Sequence, residues 1–286
     1  MHLIIINSRL SNLLHFIQQT NQFDRISPAF KNYLTNENFD LAFYGQTESK
    51  IWKQIQIVAK EEYIGKIKIS IINANPTFNK RWPQISKDLS LWKKYFLKNR
   101  LLLEQLILEV KKLTKTKNFF ISQVPIYLIA DCSEKDNGVN AWFSWTPKES
   151  FMVVEIPYGL KPSGSLFPLG IVTHEFFHLM LRQNHPLFLE LSESSKKNEK
   201  LLTRLAKGMP NRLFLEEMLI SSFVPEGYLS EKYCNLKVEN GNYKSKGLLY
   251  WRKFVAFKLK NIAIEYINGS KPIDEKYIQS VINAIA

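Results

Sequence analysis

The chain has 286 residues, 45% of them hydrophobic and 23% charged. That composition excludes a disordered chain, and the length suffices for a buried core in one large domain or two small ones. Its 39 Lys and Arg exceed 26 Asp and Glu, a net charge of +13, and no apolar run is long enough for a transmembrane helix.

The charge is uneven. Residues 80–117 hold eleven basic against three acidic residues, and residues 118–230 hold ten against twelve. The flanks, 1–79 and 231–286, hold eight against six and ten against five. The excess thus belongs to a segment, and the total alone does not point to a polyanion partner.

In chain order, residues 3–6 are apolar with no basic stretch before them, so the start does not read as a signal peptide. A cytoplasmic chain is the default expectation. Periodicity predicts helices over 8–19 and 48–59. Residues 66–73, with Ile67, Ile69 and Ile71 alternating, read as a strand ended by Asn75-Pro76. Residues 86–116 form the strongest helix, with Leu89, Trp92, Phe96, Leu103, Leu106, Val110 and Leu113 at spacings of three, four or seven. Lys93, Lys94, Lys98, Lys111, Lys112 and Lys115 fall largely on other faces. This reads as a solvated lysine face; the competing reading is a surface for acidic lipid or nucleic acid.

Three β-like stretches follow at 124–130, 139–145 and 151–156. A turn at Asp136-Asn137-Gly138 separates the first two, which suggests an antiparallel meander at a sheet edge. Residues 169–181, LGIVTHEFFHLML, are apolar nearly all round, as in a buried central helix. Residues 192–200 look like a solvated loop or helix end. Further helices are predicted over 211–223, stopped by Val224-Pro225, and over 246–267. The fold class is α+β. An N-terminal α/β region, 1–117, ends in the long basic helix, and 118–286 carries the chemistry. Cys132 and Cys234 are too few for a disulfide framework, lack metal-binding spacing and read as packing residues.

That chemistry lies in His174-Glu175-Phe176-Phe177-His178, an H-E-x-x-H on a predicted helix. Residues four apart lie one turn up on nearly the same face, so both imidazoles can converge on one ion. Zinc accepts neutral imidazole nitrogens and keeps a water at a catalytic site. Glu175 adjoins the first ligand and can take a proton from that water without being a ligand itself. Apolar surroundings lower the dielectric around the site. The bland alternative is a pair of core histidines bonded to carbonyls.

With strands before it and helices after it, this motif resembles the zincin metallopeptidases over about residues 120–230. The metzincin form is a poor match, since Leu181 stands at its glycine position and His185 comes one residue late. His185 reads as a loop residue. The gluzincin form, as in thermolysin, takes a third ligand from a later helix, where NRLFLEEMLISSF offers Glu216 and Glu217. Glu217 matches the gluzincin N-E-x-x-x-D pattern better, with Glu216 in the Asn place. Ser221 replaces the Asp that would orient a ligand histidine, and Glu216 is a candidate substitute for it.

The resemblance implies a zincin-like α+β fold with a helical C-terminal part. It implies Zn2+ held by His174, His178 and Glu217, with Glu175 as general base. Tyr228 is the preferred group for the developing oxyanion, with Tyr158 and His185 also near the motif. The strand at 139–145 would be the edge along which an extended peptide pairs.

The expected activity is zinc-dependent endopeptidase action on a peptide or protein substrate. The alternative is a catalytically silent zincin-fold scaffold using its basic helix as a partner surface. Nothing matches a nucleotide-binding glycine loop or a nucleic-acid reader, and no G-x-M-E-N signature of an aminopeptidase occurs.

Overall fold

A computed structural model describes residues 2–20, 39–116, 123–133, 138–145, 150–240 and 247–286. Among them are eleven α-helices and a four-stranded mixed sheet, an α+β chain. The chain forms two compact units interleaved in sequence, Met1–Lys98 with Gln123–Ser163 and Asn99–Ser122 with Gly164–Ala286. The sequence reading has one boundary at 117/118. Here the chain changes unit three times, because β-strands far apart in sequence pair with one another.

The first unit runs β1 (His2–Ile6), α1 (Arg9–Gln19), a 3-10 turn (Phe39–Phe43), α2 (Glu48–Val58) and α3 (Glu61–Lys98). It continues with β2 (Gln123–Asp131), β3 (Asn140–Trp145) and β4 (Ser150–Pro157). Ser8 and Thr47 cap α1 and α2, accepting from the amides of Ser11 and Lys50. The strand order is β1-β2-β4-β3. Parallel pairs join β1 to β2 and β2 to β4, and β3 runs antiparallel to β4. The three expected strands exist, but they do not form a meander. Buried Val124, Ile126, Leu128 and Ile129 make β2 a strand with neighbours on both sides. Half-buried Ala141, Trp142 and Phe143 suit β3 to the edge. Asp136, Asn137 and residues 146–149 lie outside the described residues.

β1 lies in the short apolar run 3–6, which periodicity does not resolve. Its last residue, Ile6, sits beside Tyr127. Beyond that point side chains of α1 serve the backbone of β2. Asn12 Nδ2 donates to Leu128 O at 3.2 Å, and Ala130 N donates to Asn12 Oδ1 at 2.9 Å. Gln19 Oε1 accepts from Cys132 N at 2.8 Å.

Residues 66–73 are helical, which corrects the strand reading. Ile67, Ser70, Ala74 and Phe78 are buried at helical spacing, while Ile69 is 53% exposed. Pro76 and Pro83 lie inside α3. A proline within a helix costs about 3 kcal/mol. Tertiary packing offsets this: the buried Phe78 ring lies 5.6 Å from Phe16 of α1.

The second unit contains α4 (Arg100–Leu113), α5 (Phe167–Gln183), α6 (His185–Lys197), α7 (Glu199–Ala206) and α8 (Asn211–Ser221). It ends with α9 (Tyr228–Cys234), α10 (Leu248–Asn268) and α11 (Glu275–Ile285). The single helix expected over 86–116 is therefore two, α3 and α4, separated at Asn99, and they belong to different units. Residues 192–200 are the end of α6 and the start of α7, meeting at Asn198.

Helix α5 buries Pro168 to Gly170, Val172 to His174 and Phe176 to Leu181, as its apolar sequence requires. Gly170 permits a close approach, since a Cβ there would stand 2.9 Å from Pro225 Cβ. Gly227 is needed for the same loop, because a Cβ would meet Ser222 O at 2.1 Å. Both cysteines are buried and free. No helix among the described residues is long and apolar enough to cross a membrane.

Candidate metal centre

Helix α5 presents His174 and His178 one turn apart, both 4% exposed. Helix α8 presents Glu216 and Glu217. His174 Nε2 and His178 Nε2 lie 3.1 Å apart. Glu217 spans them, with Oε1 at 3.0 Å from His178 Nε2 and Oε2 at 3.3 Å from His174 Nε2. His174, His178 and Glu217 form a group that could hold a metal ion.

The outer ring nitrogens decide what the inner ones can do. His174 Nδ1 lies 3.1 Å from Val224 O, and His178 Nδ1 lies 2.6 Å from Glu216 Oε1. A carbonyl and a carboxylate only accept, so each Nδ1 carries the hydrogen. In the neutral rings both Nε2 atoms then carry lone pairs, aimed at each other and at a carboxylate. With both rings neutral, three acceptors converge with no donor among them, an arrangement that either a proton or a metal ion can satisfy. At bond lengths near 2.0–2.1 Å, two donors of a tetrahedral zinc stand roughly 3.3 Å apart. The separations of 3.0 to 3.3 Å suit that spacing.

Without a metal, protons take up the task unequally. Burial holds His174 down at about 4 despite the Glu217 carboxylate beside it. Burial acts the same way on His178, but hydrogen bonds to Glu216 and Glu217 push it up to about 9. Burial alone would raise Glu217; the adjoining His174 and His178 rings hold its carboxyl far below the usual range instead.

Glu175 is half-buried beside these groups. Burial pushes its carboxyl up to about 7; His178, Arg252 and Arg182 oppose the shift and Glu217 adds to it. A carboxyl near neutrality is suited to take up and return a proton.

The supporting residues come from several elements. Glu216 is fully buried and pairs with Arg212 one turn earlier, whose guanidinium also lies 4.5 Å over the Phe188 ring. Glu216 thus stands where the sequence reading wanted a substitute for the missing Asp, orienting His178. Ser221 has a different partner, since its Oγ accepts from Arg252 Nε at 2.9 Å. Arg252, on α10, also donates to Glu226 Oε2 through Nε at 3.3 Å and Nη2 at 3.2 Å. Its charge helps to keep His174 neutral.

The structure brings His174, Glu175, His178, Glu216 and Glu217 together. Tyr228 is the half-buried first residue of α9, His185 the exposed first residue of α6, and Tyr158 is exposed in the first unit. None of these three belongs to the metal-capable group. Arg252, Glu226 and the Val224 carbonyl are missed by the sequence reading. Ser221 is the available signal for Arg252, because it lies one turn past Glu217 and needs a partner of its own. No family model matches the chain, and no curated protein or solved structure matches it.

Proposed function

We propose that the chain is a zinc-dependent metallopeptidase of gluzincin type that cleaves within a peptide or protein substrate. The observation that carries the reading is the set of three acceptors, His174 Nε2, His178 Nε2 and the Glu217 carboxylate, 3.0 to 3.3 Å apart. Two imidazoles and one carboxylate are a donor set used for catalytic zinc. A zinc ion bound there would supply Lewis acidity for a substrate carbonyl and for water.

The chain's own residues do the rest. Val224 O and Glu216 fix the tautomers and ring planes, so the Nε2 lone pairs stay presented. Glu175 takes the proton of the attacking water and returns it to the leaving amine. Buried Phe176 and Phe177 exclude bulk water from this part of α5. Tyr228 is the proposed donor toward the oxyanion. Arg252, anchored by Ser221 and Glu226, holds a fixed positive charge that favours neutral His174.

Glu175→Gln tests the reading. It should lower hydrolysis of an unfolded polypeptide by at least about 10²-fold, while metal content by X-ray fluorescence stays at one ion per chain. Undiminished hydrolysis in that variant would overturn the role of Glu175. Full metal retention in Glu217→Ala would remove Glu217 from the ligand set.

A further inference from the structure

We infer that the outward face of α4 is a docking surface for an anionic phospholipid membrane. Leu101, Glu104, Gln105, Leu108, Lys111, Lys112 and Lys115 form one stripe at three- and four-residue spacing on α4 and its C-terminal turn, and Arg100 and Leu102 also reach solvent at its first turn. The stripe changes character along its length. Leu101 is 82% exposed and Leu108 51% exposed. Three lysines follow. The opposite face already supplies the core through Leu103, Leu106, Ile107, Val110 and Leu113, so folding does not require leucines on the outside. An isolated exposed leucine is ordinary, but two on a stripe with three lysines make an amphipathic contact face.

The basic end adjoins a groove lined by Leu108, Lys111, Lys112, Lys115 and Pro272. Its lining contains no acidic side chain. The acids nearby on the helix are already engaged: Glu109 is buried and held by Lys112, and Glu104 pairs with Arg100. Among the described residues Lys111 and Lys115 make no ion pair. Lysines at the last turn of a helix also suit its dipole, but that role does not account for the leucines or the groove.

The occupant follows from this combination. The lysines offer positive charge to a phosphate headgroup, and Leu101 and Leu108 supply apolar contact toward the acyl boundary. A nucleic acid would use the lysines and leave the leucines without a task, and the stripe carries no aromatic side chain to stack on a base.

The test is co-sedimentation of the full chain with phosphatidylcholine vesicles, plain or with about one third phosphatidylserine. Binding should be at least about tenfold stronger to the anionic vesicles and weaken with salt. Lys111→Glu with Lys115→Glu should abolish the preference. Leu101→Ser with Leu108→Ser should lower binding about tenfold with the charge unchanged. Unchanged circular dichroism melts would show that the variants fold, and the salt dependence of the unaltered chain tests the surface without any substitution. Equal binding to both vesicles, no binding, or an unaffected lysine variant would overturn the inference. So would an unaffected leucine variant whose vesicle binding is displaced by duplex DNA, which would mark a general polyanion surface.

Discussion

His178 sets the proton balance of the centre. Its Nδ1 hydrogen is committed to Glu216 at 2.6 Å, and its Nε2 faces Glu217 at 3.0 Å. Two carboxylates therefore favour its charged form and outweigh burial, so the ring stays protonated to about pH 9 when no metal is bound. His174, held at about 4, is already neutral at pH 7. Metal capture at pH 7 should then release about one proton from His178. The sign follows: affinity rises with pH, about tenfold per unit from pH 7 to 9, and levels above that as the proton is lost beforehand. Zinc titration calorimetry in buffers of different ionisation heat measures both quantities. The Glu175→Gln background removes the neighbour that titrates near 7. A pH-independent affinity across this range would contradict a charged His178 in the metal-free centre. Glu216→Gln keeps an acceptor but removes the charge, and should weaken zinc binding about 10- to 100-fold.

At the scale of elements, α1 serves as a substitute edge for β2. Asn12 accepts from Ala130 N and donates to Leu128 O, where β1 has ended. Asn12→Ala would leave both buried backbone groups without that partner and should cost about 2 kcal/mol in urea unfolding. Hydrogen exchange at Ala130 should quicken in parallel. A loss below about 0.5 kcal/mol would mean that water replaces the side chain readily. No sequence signal announces this contact, because Asn12 and Ala130 are 118 positions apart. The same non-locality explains the misread meander: three strands are legible from their residues, but β2 joins β4 through pairing that no local pattern encodes. The alternating isoleucines at 67, 69 and 71 fit both a strand and, through buried Ile67, Ala74 and Phe78, a helix. Length and tertiary burial decide for the helix. By contrast H-E-x-x-H is legible because the helix alone sets its geometry. The choice between Glu216 and Glu217 needs the relation of α5 to α8, which assigns one to Nδ1 of His178 and the other to Nε2 of both histidines.

At the scale of the whole chain, the +13 charge and the candidate centre separate. The basic segment 80–117 covers the second half of α3 and all of α4, and its excess is a property of exposed helix faces. The centre instead gathers carboxyl groups, Glu175, Glu216, Glu217 and Glu226, around two histidines, with Arg212 and Arg252 paired to Glu216 and Glu226. A divalent cation would relieve the mutual repulsion of these carboxylates. All of them belong to the second unit, so removal of the metal should act first on that unit. Free zinc at 100 times its dissociation constant contributes about 2.7 kcal/mol to whatever binds it only when folded. Stripping the chain with a chelator should therefore lower the melting temperature, and zinc alone should restore it. Hydrogen exchange followed by mass spectrometry should show lost protection in peptides from α5 and α8, with β2 and β4 nearly unchanged. Equal loss in the strands would mean that the two units unfold together, and a melting temperature indifferent to chelation would mean that the three acceptors are held in place by the fold and their protons and not by a metal ion.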